Sequence, residues 1–125
     1  MSKSPARYPG LAPIDAYGNG GFRFAQMSHR GSLLCLPSGI YAWDVVEPAM
    51  FTPDKFGPVF AEKASLDVLL LGTGLTQKFP GAELRQSFAQ AEIALEVMDT
   101  GAACRTYNVL LGEGRRVAAA LVAVE

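Results

Sequence analysis

Side chains that commonly bind metals or form cross-links are scarce in this 125-residue sequence. It has 1 histidine and 2 cysteines, and Cys35 and Cys104 are distant from each other along the chain. Neither cysteine belongs to a C-x-x-C pair, and His29 has no second ligand at a spacing typical of metal sites. We therefore expect no bound metal, no disulfide framework and two free thiols, as in a reducing compartment.

Charge and long hydrophobic runs are scarce as well. Charged residues are 18% of the chain, with 11 basic residues against 12 acidic ones, so no polybasic surface for nucleic acid is expected. The longest strongly apolar segments, 68–71 and 117–124, are much shorter than the roughly 20 residues that span a membrane. The start of the chain has no apolar signal region. These absences predict a cytoplasmic protein with neither nucleic-acid binding nor membrane insertion.

Apolar residues, in contrast, make up 50% of the chain. For a mass of 13.3 kDa, area scaling gives a folded surface of about 6,500 Å², roughly one-third of that of the unfolded chain. Such a core suffices for a single domain, which we place at residues 14–125. Residues 1–13 contain 3 prolines, which disfavour helix, and are predicted to form a flexible or extended N-terminal arm.

The N-terminal part of the domain is predicted to be rich in β-hairpins. Gly-Asn-Gly-Gly at 18–21 favours a turn between two short alternating segments, 14–17 and 22–25. A second hairpin is predicted from the apolar segments 32–36 and 40–43, which the turn residues Pro-Ser-Gly separate.

The C-terminal half has a β-α-β-α-β pattern, preceded by a helix predicted over about 53–63 with Thr52 as its cap. Three apolar runs predict strands buried on both faces: 66–71, 93–98 and 117–124. Apolar periodicity predicts two helices between them, one over 83–91 and one that Thr100 caps and Gly112 ends. Both connections are long enough for parallel crossovers, so periodicity alone predicts an α/β fold with a parallel sheet.

Gly72-Thr73-Gly74 is the sharpest candidate ligand motif, because it directly follows a buried strand of the predicted sheet. The third glycine of a dinucleotide-binding motif would fall on Gln77, however, and the next helix begins only after residue 81. We therefore favour a structural turn. The alternative is a modest anion or nucleotide pocket formed with Asp99, Thr100, Cys104 and Arg105.

Cys104 lies about one turn into the helix that begins at Thr100, beside Arg105. A helix dipole and a nearby cation depress thiol pKa values, which would suit a redox or nucleophilic cysteine. A buried small hydrophobe is the interpretation we favour, since His29 is the sole imidazole available as a base. With no catalytic grouping in the sequence, we expect a non-enzymatic protein without a cofactor.

Tyr41 and Trp43 alternate with Ile40 and Ala42 in the second predicted hairpin. On an edge hairpin the two aromatic side chains would form a partner-binding surface. Alternatively, one face of this strand belongs to the core and Trp43 covers a helix. Both interpretations remain open at the level of the sequence.

Three segments together resemble a known family: residues 31–43, residues 69–74, and residues 96–115 with their Met-Asp-Thr and Ala-Cys-Arg-Thr-Tyr-Asn motifs. The sequence is similar to the Mth-type domain-of-unknown-function family, which includes relatives of mitochondrial complex I assembly factor 3 and of the adipogenesis-associated Mth domain-containing protein. The resemblance extends from about residue 14 to residue 124.

The resemblance implies a three-layer α/β domain with a mixed central sheet and no catalytic residues to transfer. It also implies a bacterial protein that binds a protein partner, as an interaction or assembly factor related by analogy to respiratory complex I. The alternative function is a small-ligand protein that binds an anion or nucleotide. Oligomeric state is left open, with a homo-oligomer among the options.

Overall fold

The computed structural model of the chain describes residues 6–125, so residues 1–5 of the predicted arm lie outside the described part. The eight strands are β1 (Ala16–Gly18), β2 (Gly21–Phe24), β3 (Met27–Arg30), β4 (Ser32–Leu36), β5 (Gly39–Trp43), β6 (Val68–Gly72), β7 (Ala94–Met98) and β8 (Val117–Leu121). The helices are α1 (Gly57–Ala61), α2 (Ala82–Gln90) and α3 (Thr100–Gly112), and short 3-10 turns occupy Pro48–Met50, Pro53–Phe56 and Lys63–Ser65.

The central sheet has five strands in the order β5-β4-β8-β6-β7. Strand β6 pairs in parallel with both β7 and β8, which confirms the parallel pairings predicted for the β-α-β-α-β half. Strand β4 runs antiparallel to β5 and to β8, so the whole sheet is mixed, as the family resemblance implied. Long crossovers through α2 and α3 permit the parallel part, and the tight turn at 37–38 permits the antiparallel hairpin.

A separate three-stranded antiparallel sheet contains β1, β2 and β3. The predicted hairpin is confirmed, with Asn19 and Gly20 at positive φ values of 53° and 78° in a two-residue turn. Strand β3 was not predicted from the sequence. Its turn uses Ala25 and Gln26 at φ values of 49° and 64°, and neither residue type is a usual signal for that conformation.

The fold has three layers because both faces of the central sheet are covered. One face packs against α2 and the 48–65 segment, in a cluster that includes Leu69, Leu71 and Phe88. The other face packs against α3 and the three-stranded sheet, in a cluster that includes Leu70 and Tyr107. Consecutive leucines of β6 thus enter opposite clusters, as the alternation of a strand requires.

Two sequence predictions about burial and helix length were wrong. Strand β7 is not buried on both faces: it lies at the end of the sheet, and its side chains are exposed or half-buried. The helix predicted over 53–63 is divided between a 3-10 turn and the short α1, because Pro58 lacks an N–H and disturbs regular helix. Thr52 makes no capping bond, and its hydroxyl donates instead to Asp54.

Two predicted boundaries also shift. Gly112 is the last residue of α3 rather than the residue beyond it, and Gly114 adopts the positive φ of 74° that follows the helix. Strand β8 ends at Leu121 instead of residue 124. Within residues 6–125, none of the helices has the length and apolar character needed to cross a membrane.

The described part of the N-terminal arm contacts β5. Ile40 donates its N–H to Tyr8 O at 2.9 Å, and Arg7 donates to Ile40 O at 2.6 Å. Farther along, Ala12 is buried among core side chains. These contacts place residues 7–12 against the domain, whereas the limits of the domain stay a prediction.

Candidate functional site

The two segments predicted to form a ligand pocket do meet, at the carboxyl ends of β6 and β7. Gly74 donates its N–H to Thr100 Oγ1 at 2.9 Å, and Thr100 donates its N–H to Gly74 O at the same distance. Thr100 Oγ1 in turn donates to Val122 O at 2.7 Å. Thr100 therefore joins the loop after β6 to the chain that leaves β8.

Gly72 is closely packed. A Cβ at this position would lie 3.0 Å from Thr100 Cα and 3.1 Å from Ala103 Cβ, so α3 would have to shift by a few tenths of an ångström to admit a side chain. Gly74 adopts a φ of 106°, which side-chain-bearing residues rarely adopt. The glycines of this motif thus meet steric requirements of the strand–helix junction.

Thr73 satisfies polar groups of its own loop. Its N–H donates to Met98 O at 2.9 Å, and its hydroxyl donates to Thr76 O at 2.6 Å while accepting from the N–H of Lys78 at 3.0 Å. The side chain is nearly inaccessible to solvent. Thr73 therefore fixes the path of residues 73–78.

The prediction that Thr100 caps α3 was wrong, since Asp99 is the capping residue. Asp99 Oδ1 accepts the N–H of Ala102 at 2.8 Å, and Thr100 is the first residue of the helix. Both residue types favour the cap position, and only the structure shows that the threonine hydroxyl is occupied by the neighbouring strands. The carboxylate that was proposed for a ligand is thus engaged by the helix.

Tyr17 lies against the first turn of α3. A Cβ at Gly101 would overlap Tyr17 Oη and would lie 3.4 Å from Arg105 Nη1. Arg105 is exposed, so it is the predicted ligand residue whose side chain reaches solvent most freely. The candidate segments therefore meet in space, and the polar groups of Thr73, Asp99 and Thr100 are bonded within the protein. A ligand role for the seven candidate residues stays a prediction.

The thiol of Cys104 is buried against the sheet. Burial raises its pKa to about 12, and the opposing effect of Arg105 is smaller. Burial likewise raises the pKa of Cys35, and the neighbouring Cys104 adds to this effect. Because thiolates are the nucleophilic form, the surroundings of both cysteines disfavour the redox interpretation and favour the buried hydrophobe.

Sequence reasoning missed that Cys35 and Cys104 share one cluster. Tyr107 completes it: its hydroxyl is buried without a well-formed hydrogen bond, beside the Cys35 thiol. Burial raises the pKa of Tyr107 as well. The positions are 69 residues apart along the chain, so no local pattern indicates the contact.

Tyr41 and Trp43 do lie on an edge strand, β5, but their side chains are only 6% exposed. Trp43 Nε1 donates to Lys55 O at 2.9 Å, and its ring packs edge-on against Phe56. Tyr41 Oη lies 2.6 Å from Ser38 Oγ. Both rings belong to the core cluster beneath the 48–65 segment, and partner binding by them stays a prediction.

The acidic residues after Trp43 form no grouping suited to catalysis. Asp44 pairs with Lys55 at 2.9 Å on the surface, and Asp54 accepts from the hydroxyl of Thr52. Across residues 6–125, no three histidine, cysteine or acidic side chains are grouped so as to hold a metal ion.

An apolar groove between α2 and β7 was not predicted from the sequence. It has a volume of about 650 Å³, and its lining includes Phe79, Phe88, Leu95 and Val97. Phe79 is 73% exposed, and the nearby loop residue Leu75 is 78% exposed. The sequence signal for this groove is the presence of large apolar residues in the loop 75–79. Polar neighbours in the same loop make that signal hard to recognise.

A second groove of about 430 Å³ lies on the outer face of the three-stranded sheet. Its lining includes Arg23, Arg30 and Ser28, and Arg23 donates to Ser28 Oγ at 3.0 Å. His29 also borders this groove and is itself buried. Its Nε2 is 3.2 Å from Ser32 O, and burial lowers its pKa.

Known proteins resemble the chain over nearly its full length. An uncharacterized protein of Rhodobacter capsulatus is 38% identical over 98% of this chain and 93% of that relative. Human NADH dehydrogenase [ubiquinone] 1 alpha subcomplex assembly factor 3 is 32% identical over 87% of this chain. The chain spans 59% of that human relative and 66% of its mouse counterpart.

Solved structures agree with the fold. A protein from Bartonella henselae, described as an outer membrane protein, is 53% identical with a TM-score of 0.92, over 95% of this chain and 100% of that one. A Bordetella pertussis protein described as a Mth938-like domain is 30% identical with a TM-score of 0.79, over 98% and 91% of the two chains.

A family model matches residues 14–122, which is nearly the whole described domain. The mixed sheet in three layers accords with the Mth938-like neighbour. The chain therefore belongs to the family described as a protein of unknown function (DUF498/DUF598).

Proposed function

We propose that this chain is a non-enzymatic protein that binds a protein partner during the assembly of a larger complex. The observation that carries the proposal is the apolar surface of the loop 75–79, where Leu75 and Phe79 are 78% and 73% exposed and Phe79 lines the groove of α2 and β7. Such exposed apolar surface next to a groove is typical of protein-binding sites.

Relatives with a named role support the same function. Several are complex I assembly factors, so we propose that the partner belongs to a respiratory complex of that type. The non-enzymatic part of the proposal is supported by the raised thiol pKa of Cys104, which leaves very little thiolate at neutral pH.

A strain that lacks the gene tests the proposal. The full chain should restore complex I activity and capture a complex I component, whereas the Leu75→Ser, Phe79→Ser double variant should lose both. Val109, which is 58% exposed on α3, offers a matched control, because Val109→Ser removes exposed apolar surface elsewhere. Unchanged complex I activity in the deletion strain would overturn the complex I assignment, and equal capture by the double variant would overturn the surface.

The proposal includes a cytoplasmic location, which cell fractionation measures. Recovery of the chain in the membrane fraction would contradict it and would agree with the description of the Bartonella henselae relative. A thermal-shift series with phosphate, nucleotides and carboxylates tests the small-ligand alternative at Arg105. Stabilisation that Arg105→Ala removes would favour that alternative over protein binding.

A further inference from the structure

We propose that the edge strand β7 binds an extended segment of a protein partner, which adds to the central sheet as another strand and places a basic side chain opposite Glu96. This inference rests on the proposed function, because it names the way in which the partner binds. Strand addition of this kind combines main-chain hydrogen bonds with side-chain pockets on alternate residues.

The two edges of the central sheet differ in how they are covered. Strand β5 exchanges main-chain hydrogen bonds with the arm, through Tyr8 and Ile40. Among residues 6–125 no strand pairs with the outer side of β7. A free edge is a template for further pairing, and proteins usually cover it or shorten it.

The hydrogen bonds of β7 show which groups face outward. Ala94 donates its N–H to Asp67 O, and Met98 O accepts the N–H of Thr73, so these two residues face β6. Because successive residues of a strand direct their backbone groups to alternate sides, Leu95 and Val97 direct theirs away from the sheet. The side chain of Gln77 confirms the direction, since its Nε2 donates to Val97 O at 2.8 Å. An added strand would replace this amide at the Val97 carbonyl.

The side chains of the same two residues define a face for an added strand. Leu95 and Val97 are half-buried and pack on the α2 side of the sheet, where they line the 650 Å³ groove together with Phe79. Alternate residues of an added strand would point into this groove. Apolar side chains at those positions would cover Phe79, whose exposure the fold itself leaves unexplained.

Charge selects a partner segment over a second copy of this chain. An antiparallel pair of two β7 strands that used both Leu95 and Val97 would place Glu96 directly opposite Glu96 of the other copy. Like charges at such positions are destabilising, and opposite charges are favourable. Glu96 is exposed and forms no ion pair among the described residues, so a lysine or arginine of another protein fits this position.

Two capped peptides of equal length serve as probes, one alternating valine with lysine and one alternating valine with glutamate. They are titrated into the isotope-labelled full chain, and backbone amide shifts and hydrogen exchange are measured by NMR. We expect the lysine peptide to bind more tightly and to slow exchange at Leu95 and Val97. Glu96→Lys should weaken the lysine peptide about threefold and favour the glutamate peptide. Glu113→Lys, the same change at the exposed end of α3, should leave the affinity for both peptides unchanged.

Leu95→Pro gives a second variant that removes an outward N–H, which an edge strand tolerates. Shifts that map away from β7, or equal binding by Glu96→Lys, would overturn the inference. A dimer of the free chain that Leu95→Pro dissociates would also overturn it, in favour of a second copy. If the captured complex I component binds Glu96→Lys and Leu95→Pro unchanged, the edge inference fails while the proposed function stands. If the lysine peptide binds at β7 but no complex I component is captured, the edge inference stands while the proposed function fails.

Discussion

Single residues at the junction of β6 and α3 hold the layers together. Gly72 allows the helix to approach the sheet, and Thr100 bonds the loop after β6 to the chain after β8. Asp99 satisfies a free N–H at the helix start. The residues that the sequence predicts as a ligand site therefore stabilise the junction between the sheet and α3.

Gly72→Ala should destabilise the protein by about 1–3 kcal/mol, because the new Cβ would press on the Thr100 backbone in a closely packed layer. Urea unfolding measures the change. Gly112→Ala is the matched control: its Cβ meets no atom within 4 Å and the residue is helical, so stability should rise by up to about 1 kcal/mol. Equal effects of both variants would contradict the packing argument.

Thr100→Val should lower the free energy of unfolding by about 1–3 kcal/mol. The side chain keeps its shape but leaves the N–H of Gly74 and the carbonyl of Val122 without the hydroxyl. Thr106→Val, on the half-buried side of the same helix, should stay within about 0.5 kcal/mol of the parent. A loss at position 100 no larger than that at position 106 would show that neither hydrogen bond contributes to stability.

At the scale of elements, the three-stranded sheet depends on two tight turns with different chemistry. Asn19 and Gly20 suit the left-handed conformation, whereas Ala25 and Gln26 adopt it at a cost. The segment that leads into β1 is held to α3 by Asn108, whose side-chain amide exchanges two hydrogen bonds of 2.8 Å with the backbone of Ile14. Tertiary contacts of this kind allow an unfavourable turn to persist.

Gln26→Gly should stabilise the protein by about 0.5 kcal/mol, because relief of the positive φ of 64° exceeds the added entropy of the unfolded chain. Thermal unfolding detects this as a higher Tm. Gln86→Gly in α2 makes the same replacement in a helix and should lower stability by about 1 kcal/mol. A fall in Tm for Gln26→Gly would mean that the glutamine side chain has contacts that outweigh its strain.

At the scale of the whole molecule, residues that are distant along the chain are buried together in one cluster. Strand β4 supplies Cys35, and α3 supplies Cys104 and Tyr107, to one cluster. Burial raises the pKa of all three groups, so the folded protein holds them neutral. Alkaline pH should therefore lower the free energy of unfolding of the entire domain.

The free energy of unfolding should fall as pH rises above about 9, the ordinary pKa of a thiol, towards the folded pKa of Cys104 at about 12. In this window the unfolded chain releases a proton that the folded chain keeps, so unfolding is favoured by about 1.4 kcal/mol per pH unit for each such thiol. Below pH 9 the stabilisation is fully present.

Urea unfolding at pH 8, 9 and 10 measures this slope. Cys104→Ala should reduce the dependence of the free energy of unfolding on pH, whatever its effect on stability at pH 8, because it removes one thiol whose pKa is raised by folding. Native Cys104 should also react with a thiol reagent far more slowly than the unfolded chain. Identical slopes in the parent and the variant would exclude the thiol as a source of the alkaline loss.

Much of this architecture could be predicted from the sequence, because the relevant signals are local. The alternation around Gly18–Gly21, the apolar run at 68–71 and the periodicity of residues 83–91 each determine an element through neighbouring residues. The order of these elements and the lengths of their connections then determine the parallel pairing of β6 with β7 and β8.

Tertiary structure alone decided the properties that depend on residues far apart in the chain. An apolar strand pattern is the same in the middle of a sheet and at its edge, so the exposure of β7 follows only from its lack of an outer neighbour. The hydroxyl of Thr100 has several possible partners, and packing selected Val122 and Gly74 over the helix cap. Local propensity is set by adjacent residues, whereas edges, shared clusters and occupied polar groups are set by which elements meet.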